Sequence, residues 1–446
     1  MQQVHTFEHQ PRLSGLRRRV RRGWSAIAAG MLIALTAVVP AAAQTPQQAH
    51  TAAERSAPTD FTAYVANRNS NTVSAVDTAA PGVFTSVAAG SLPNDVAVTP
   101  DGRRAYVTED ASNTVSVIDI AHNAVTATIP VGTNPEDVAI TPDGTSAYVT
   151  NFSSNNVSVI DTATNTVTTT IPVGTAPIGV AFTPDGTRAY VANFRSNTVS
   201  VVDTATNTVT ATVTVTGGPS AVAVTNSPLG TRAYVTGSGT TISVIDTASN
   251  TVIATPFTGI SPASVAASPD GTRVYVPNGG SSTVSVIDTA TNTVVRTISL
   301  TGRPLGVAFT PDGSRAYVTN LSFGTLLAID TATFAVTTAA TVGSGPVAVA
   351  ISSTPHPAPP TVTGVSPTSG PLVGGTTVTV TGTGFFTAPG ATTVTFGTTP
   401  ATNVICSSST SCTAVSPRHA HGTVDVRVTN PAGTSATTPA DRFTYR

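Results

Sequence analysis

One sequence unit of roughly 40–45 residues repeats along most of this chain. The Tyr of an Ala-Tyr-Val core recurs in register at Tyr64, Tyr106, Tyr148, Tyr190, Tyr234, Tyr275 and Tyr317. The Asp that ends each Ser-Val-Ile-Asp-like run recurs at Asp77, Asp119, Asp161, Asp203, Asp246, Asp288 and Asp330. Because both markers keep one spacing, the sequence contains seven copies of one structural unit.

Each copy predicts four short β-strands. The clearest copy, 141–173, is rich in Val, Ile, Thr and Tyr, which suit a pleated and half-buried surface. Turn sequences separate its strands, among them Pro142-Asp143-Gly144 and the run Asp161–Asn165. Four strands per copy are typical of a propeller blade. The sequence therefore predicts an all-β protein built on a seven-bladed β-propeller.

The two ends of the array predict a closed ring. The first copy begins at Phe61 and lacks a first strand, whereas the last copy supplies only a first strand, Pro346–Ile351. We expect this C-terminal strand to pair with Phe61–Asn67 and complete one blade. An open array is the alternative, but it would leave free sheet edges.

The strings AYVTN, AYVAN and NTVSVID, repeated in register over residues 61–352, resemble the YVTN family of seven-bladed β-propeller repeats. That resemblance implies an exported or surface protein of bacteria or archaea. It implies no fixed chemistry, because propellers carry many unrelated functions.

The C-terminal part, residues 361–446, predicts a second β domain after a Pro-rich linker at 353–360. It resembles the IPT/TIG family of immunoglobulin-like β-sandwiches in Val365-Ser366-Pro367, Gly374-Gly375-Thr376 and Phe443-Thr444-Tyr445. Such domains in exported bacterial proteins act as spacers or contact modules.

The only two cysteines, Cys406 and Cys412, flank a short Ser/Thr-rich turn in this second domain. In an exported chain such a pair predicts a disulfide. A metal site that also uses His419 and His421 is the alternative.

Residues 1–43 have the features of an export signal. Arg17–Arg22 is a positive segment, Trp24–Val39 is apolar, and Ala41-Ala42-Ala43 is a small-residue cleavage pattern. A retained membrane anchor is the alternative, although the apolar run is short for a bilayer span. We expect a flexible leader at 44–60 and a mature bacterial protein that is secreted, periplasmic or on the cell surface, without a membrane span.

Charge argues against nucleic acid as a partner. Cleavage before Gln44 would remove six Arg and one Glu from the 21 basic and 22 acidic residues, which leaves a net charge of −6. Nucleic-acid binding requires a basic surface. We expect a monomer that contacts an extracellular or envelope protein or glycan.

No catalytic signature stands out in the repeats. The propeller contains one histidine, His122, in a turn, and no cysteine. The sequence accordingly predicts an exported, non-enzymatic binding or scaffolding protein without a cofactor. The alternatives are a propeller enzyme of lactonase or lyase type, with an acidic or calcium-dependent site at the channel mouth, and a purely structural surface component.

Variation between the copies predicts which face binds. The Pro-Asp-Gly and Asp-Thr-Ala-Thr-Asn turns share one face and hardly vary, so we interpret that face as structural. The opposite face varies, as expected of a binding surface on a regular frame. Its candidate residues are Arg68, Asp95, Glu109, Glu136, Asp137, Phe152, Phe194, Arg195, Arg303 and Phe323.

Two clusters on the variable face suggest particular chemistry. Asp95 lies one copy before the pair Glu136-Asp137, and several carboxylates together suit Ca²⁺; solvated loop acids are the alternative. The aromatic residues Phe152, Phe194 and Phe323 could stack on sugars or anchor a protein. Packing of these rings against the next blade is the alternative.

Overall fold

A computed structural model describes residues 61–78, 82–355, 359–386, 392–430 and 433–446. The predicted signal, the predicted leader and residues 356–358 of the predicted linker lie outside these ranges. Within them the structure contains β-strands and one short 3₁₀ helix, and no helix is long and apolar enough to cross a membrane.

The first part of the chain folds into strands β1 to β28. In order they are Phe61–Asn67, Thr72–Asp77, Val83–Ala88, Pro93–Val98, Arg104–Glu109, Thr114–Asp119, Ala124–Pro130, Pro135–Ile140, Ser146–Asn151, Asn156–Asp161, Thr166–Pro172, Pro177–Phe182, Arg188–Asn193, Thr198–Asp203, Thr208–Thr214, Pro219–Ser227, Gly230–Gly237, Ser243–Asp246, Thr251–Ala254, Ala266–Ala267, Arg273–Asn278, Thr283–Asp288, Thr293–Ser299, Pro304–Phe309, Arg315–Asn320, Thr325–Asp330, Val336–Thr341 and Pro346–Pro355.

These strands form seven four-stranded antiparallel sheets in the described part of the chain, which are the blades of a propeller. Blade 1 has the order β28-β1-β2-β3, and blades 2 to 7 take the following strands four at a time, from β4–β7 to β24–β27. The first strands of neighbouring blades contact one another around the centre. The predicted seven-bladed all-β fold is confirmed.

The hydrophobic core lies between the blades. The second and third strands of a blade are buried along most of their length, while the fourth strand is largely exposed. Between blades 2 and 3, for example, Tyr106, Val117 and Ile129 of one blade pack with Val138 and Val149 of the next. The Val, Ile and Tyr side chains of each copy therefore pack against both the preceding and the following blade.

A hydrogen bond joins most neighbouring blades at their outer part. The buried Tyr of the second strand donates to the Asn in the turn between the third and fourth strands of the next blade; we call this bond the Tyr–Asn latch. Five latches occur in the described residues: Tyr64–Asn123, Tyr106–Asn165, Tyr148–Asn207, Tyr190–Asn250 and Tyr234–Asn292. Each Asn has a positive φ, a conformation that Asn tolerates well.

Ring closure follows the sequence prediction. β28 pairs antiparallel with β1, with Ala350 opposite Tyr64 and Ala348 opposite Ala66. β28 also extends past residue 352 and ends at Pro355, opposite Phe61. The first and last strands of the propeller thus share one sheet.

The C-terminal domain is a β-sandwich of strands β29 to β38. They are Thr361–Ser366, Ser369–Gly370, Thr377–Thr383, Thr393–Phe396, Thr399–Pro400, Thr402–Ser408, Ser411–Val415, Gly422–Asn430, Gly433–Thr434 and Arg442–Tyr445, and a 3₁₀ helix spans Pro439–Asp441. One sheet has the order β29-β31-β35-β34, and the other has the order β30-β38-β36-β32-β33.

Three aromatic side chains form the centre of this sandwich. Phe396 packs edge-to-face on Phe443 at 5.1 Å between ring centroids, and Phe443 packs on Tyr445 at 5.0 Å. Cys406 on β34 and Cys412 on β35 form a disulfide between paired strand positions. The predicted immunoglobulin-like fold is confirmed.

Candidate functional site

The central channel is asymmetric because one position of the repeat changes around the ring. This position comes two residues after the Pro that opens each innermost segment, and in blades 2 to 7 and then 1 it is Asp95, Asp137, Gly179, Ala221, Ser264, Gly306 and Ala348. In blades 2, 3, 4 and 7 it lies against the first strand of the next blade. Blades 2 and 3 therefore carry carboxyl groups where the other blades have small residues.

A cavity of about 360 Å³ lies at this ring of first strands. Its polar wall contains Asn94, Asp95, Glu136 and Asp137. The rest of its wall is mainly apolar and includes Ile178, Val180, Val222, Val265, Leu305, Val307, Val347 and Val349. No basic side chain lines this cavity in the part of the chain that the structure describes.

The carboxyl groups of Asp95 and Asp137 lie next to each other across the boundary between blades 2 and 3, near enough to share a hydrogen bond. Each also accepts a backbone N–H from the first strand of the next blade: Val138 donates to Asp95 Oδ2 at 3.1 Å, and Val180 donates to Asp137 Oδ2 at 2.8 Å. Two carboxyl groups in contact can form such a bond only when one of them is protonated. The pair therefore holds a proton at the cavity wall.

Burial supports this protonation. It raises the pKa of both Asp95 and Asp137, and the negative charge of Asp137 raises the pKa of Asp95 further. Ionising two adjacent carboxyl groups in a poorly solvated site has a high cost in free energy. A proton donor is thus available at this wall when free carboxylic acids in solution are ionised.

Glu136 lies beside this pair and is held by a polar chain. Asn94 Nδ2 donates to Glu136 Oε2 at 2.7 Å, and Arg68 donates to the side-chain oxygen of Asn94. Arg68 also forms an ion pair with Asp110. Burial first, and then the charge of Asp110, raise the pKa of Glu136, although Arg68 opposes them. Such a carboxylate can take a proton from water.

The prediction that Glu109 belongs to the binding surface is wrong. Its side chain is only 1% exposed, and Gly90 N donates to its Oε1 at 2.6 Å while Thr114 Oγ1 donates to its Oε2 at 2.6 Å. The hydroxyl of Ser116 donates as well. Asn holds the same position at the end of the second strand in blades 1, 3, 4, 6 and 7. The buried carboxylate of Glu109 therefore stabilises the connection that contains Gly90.

The predicted aromatic cluster is not assembled. Arg195 lies over the ring of Phe152 at 5.1 Å, and Phe194 packs close to Gly218 in the connection to the next blade. Phe323 is 60% exposed and lies near Gly302 of its own blade. These rings therefore occupy separate places on the variable face, and Phe194 follows the packing alternative.

Arg303 is exposed and follows the same backbone pattern as its counterparts: Leu321 N donates to its carbonyl at 2.9 Å. It does not line the cavity. No group of three His, Cys, Asp or Glu residues is arranged to hold a metal ion among the described residues. Calcium binding at Asp95, Glu136 and Asp137 stays a prediction, and the ion would have to displace the shared proton.

Sequence reasoning missed Asn94 as a member of the site. Asn94 joins Arg68 to Glu136, and its own backbone position in β4 matches that of Glu136 in β8. An alignment of the seven first strands would have indicated it, because the second position is polar on blades 2 and 3 and apolar on blades 4, 6, 7 and 1.

Two family models match this chain. The model of "Lactonase, 7-bladed beta-propeller" matches residues 161–351, and that of the IPT/TIG domain matches residues 360–445. The lactonase match extends from the end of β10 to β28 and does not include the carboxyl groups of blades 2 and 3. No curated protein matches the chain.

Solved structures share the propeller fold. A protein of unknown function from Desulfotomaculum acetoxidans is 22% identical, with a TM-score of 0.55, and the match covers 65% of this chain and 98% of that one. A candidate 6-phosphogluconolactonase from Bacteroides fragilis is 17% identical, with a TM-score of 0.56 and coverages of 66% and 99%. Another, from Bacteroides uniformis, is 17% identical, with a TM-score of 0.55 and coverages of 66% and 99%.

The lactonase match corrects the prediction of a non-enzymatic protein. The repeats contain a single histidine, no cysteine and no known catalytic motif, which is why the sequence favours a non-enzymatic role. The model of an enzyme family instead matches the chain from the end of β10 to β28. Carboxyl groups alone can perform acid–base chemistry, so a shortage of histidine and cysteine does not exclude an enzyme.

Proposed function

We propose that this chain, a seven-bladed propeller of lactonase type joined to an IPT/TIG domain, is a hydrolase that opens small neutral lactones in its channel. The observation that carries the proposal is the arrangement of a proton-holding carboxyl pair, Asp95 and Asp137, next to the carboxylate of Glu136 on the wall of one cavity. The lactonase family match supports the reaction class.

The chemistry needs one base and one acid. Glu136 takes a proton from a water molecule as the water oxygen bonds to the acyl carbon of the lactone. The ring C–O bond then breaks, and the leaving alkoxide receives the proton held by Asp95 and Asp137. The product is the open hydroxy acid, and a proton passes from Glu136 back to the pair, through solvent, before the next cycle.

The cavity favours neutral lactones. Its polar wall is acidic, and the nearby cation, Arg68, already pairs with Asp110. An anionic substrate such as a phosphorylated sugar lactone would meet repulsion there. The apolar wall, with Leu305 and Val307 among its residues, suits a hydrocarbon substituent on the ring.

The test is hydrolysis of unsubstituted and alkyl-substituted γ- and δ-lactones, followed by proton release. Loss of a general base costs about 10²–10⁴-fold in rate, so Glu136→Gln is expected to lower kcat/KM within that range. Asp143→Asn, in a turn on the opposite face, is the control and keeps full activity. Absence of hydrolysis of every lactone, or equal activity in Glu136→Gln, contradicts the proposal.

We also propose that the protein works outside the cytoplasm, where it meets envelope glycans or proteins. The export-signal pattern of residues 1–43 and the Cys406–Cys412 disulfide support this location. The exposed ring of Phe323 on the variable face is of the kind that anchors such partners. Fractionation of cells that produce the full chain tests the location, and recovery in the cytoplasm contradicts it.

A further inference from the structure

The boundary between blades 6 and 7 breaks the latch pattern. There the turn position that holds Asn in blades 2 to 6 is Phe334, which has a φ of 60°. A bulky residue in this left-handed conformation is rare and costs stability. Phe334 also accepts the guanidinium of Arg296 over its ring, at 5.4 Å. The sequence thus replaces a stabilising residue by a strained aromatic one at a single boundary.

The replacement leaves the hydroxyl of Tyr275 without a hydrogen-bond partner in the described part of the protein. Tyr275, the latch donor of blade 6, is only 1% exposed. In the part of the chain that the structure describes, its hydroxyl has no partner, whereas the same hydroxyl of Tyr234 donates to Asn292 at 3.0 Å. A ligand with an acceptor atom could therefore accept a hydrogen bond from this hydroxyl without displacing a protein partner.

This hydroxyl group belongs to a side chain that lines a cavity. The cavity has a volume of about 500 Å³ and lies on the face of the Pro-Asp-Gly turns, away from the channel mouth. Tyr275, Phe309 and Phe334 supply its aromatic wall. Tyr275 and Phe309 meet edge-to-face with ring centroids 4.8 Å apart. Three aromatic rings around one space suit another flat ring.

The boundary between blades 3 and 4 provides an internal comparison. Tyr148 and Phe182 meet there with the same centroid distance of 4.8 Å. In that case, however, Asn207 accepts the hydrogen bond of Tyr148 and completes the latch. The two boundaries therefore share the aromatic pair and differ in the latch residue, so the open hydroxyl results from Phe334.

The rim of the cavity selects against anions. Arg273 lines the cavity, and its positive charge is balanced by an ion pair with Asp288. Asp270 also lines the cavity; burial opposes its ionisation, but the Ser268 hydroxyl and the backbone N–H of Thr272 hold its pKa below the ordinary value. A carboxylate or phosphate ligand would therefore meet a negative rim.

From this geometry we propose that the cavity between blades 6 and 7 binds an uncharged aromatic compound, with its ring against Phe309 and Phe334 and an acceptor oxygen on the Tyr275 hydroxyl. This site is independent of the lactone site proposed above. It lies on the face that the repeat pattern suggested was purely structural.

Calorimetric titration of the purified protein with 2-naphthamide, a bicyclic ring with an amide oxygen, tests the site. Tyr275→Phe removes only the hydroxyl and is expected to weaken binding about fivefold, the value of one neutral hydrogen bond. The unfolding temperature of this variant should match that of the wild type, because the hydroxyl has no protein partner to lose. Tyr148→Phe is the matched control: it lowers the unfolding temperature and leaves binding unchanged.

Phe334→Asn provides a second, independent variant. It restores the Asn of the other blades, so we expect the latch to form, the protein to stay folded and 2-naphthamide binding to be lost. The proposal is overturned if the wild type does not bind 2-naphthamide, or if Phe334→Asn and Tyr275→Phe bind it as tightly as the wild type. Neither result would affect the lactone assay, which reports on the other face.

Discussion

At the scale of single residues, the function of an acidic side chain depends on what the fold places next to it. Glu109 and Glu136 look alike in the sequence, since both interrupt a regular repeat on the same face. Glu109 is closed in by backbone and hydroxyl donors, while Glu136 reaches a cavity beside two further carboxyl groups. Sequence reasoning found both residues but could not separate them, because the difference lies in contacts between blades.

The carboxyl pair makes stability depend on pH. Because the pKa of Asp95 is higher in the folded protein than its ordinary value of 3.8, the folded state holds a proton that the unfolded state releases. Its contribution is fully present below pH 3.8 and is lost as pH rises through the folded pKa. We therefore expect Asp95→Asn, which cannot titrate, to reduce the fall of the unfolding temperature as the pH rises above 3.8.

Thermal unfolding at a series of pH values measures this slope. Asp143→Asn is the control, because hydrogen bonds from Thr141 and Thr145 lower the pKa of Asp143 and its titration is complete at more acid pH. Its slope over the same range should equal that of the wild type. An unchanged slope in Asp95→Asn would show that the pair holds no proton.

At the scale of elements, the first strands decide how closely the blades approach. A Cβ atom on Gly179 would lie 2.6 Å from the carbonyl oxygen of Ser220, and one on Gly306 would lie 2.7 Å from that of Val347. At the same register, Asp95 and Asp137 carry full side chains, whose carboxyl groups accept hydrogen bonds from backbone N–H groups of the next blade. The four-strand pattern of each copy was predictable from turn residues and alternation. The positions at which a first strand needs glycine were not predictable, because they depend on contacts between residues about one blade apart in the sequence.

Gly179→Ala tests this close approach. Overpacking of a tight interior site costs about 1–3 kcal/mol, so we expect the free energy of unfolding to fall by that amount in urea titrations. Ser264→Ala is the matched control, since Ser264 holds a Cβ at the same register and should change stability by less than about 0.5 kcal/mol. Equal stability of Gly179→Ala and the wild type would mean that the blades can separate without cost.

At the scale of the whole molecule, one sheet made from both ends of the propeller holds the ring together. The sequence predicted this closure from two incomplete copies, and the pairing of β28 with β1 confirms it. The function of the channel was less predictable. Seven similar strands meet at the centre, and only their mutual arrangement shows that acids from blades 2 and 3 face an apolar wall from blades 4 to 7 and 1.

Truncation tests the closing strand. A chain that ends at Pro355 keeps β28 and should elute as a compact monomer with β-sheet circular dichroism. A chain that ends at Gly345 lacks β28, leaves β1 as an open edge, and is expected to aggregate or unfold. Equal compactness of the two chains in size-exclusion chromatography would argue that β28 is dispensable.

The pairing of β28 with β1 also determines when blade 1 can be completed during synthesis of the chain. Phe61 lies at the start of β1 and its partner Pro355 at the end of β28, with nearly the whole propeller between them. At a synthesis rate of about 5–20 residues per second, β1 waits on the order of tens of seconds for its partner to be made. At the end of that interval a nascent chain with six complete blades still exposes β1 as an unpaired strand. Chaperones can bind this strand until β28 has been synthesised.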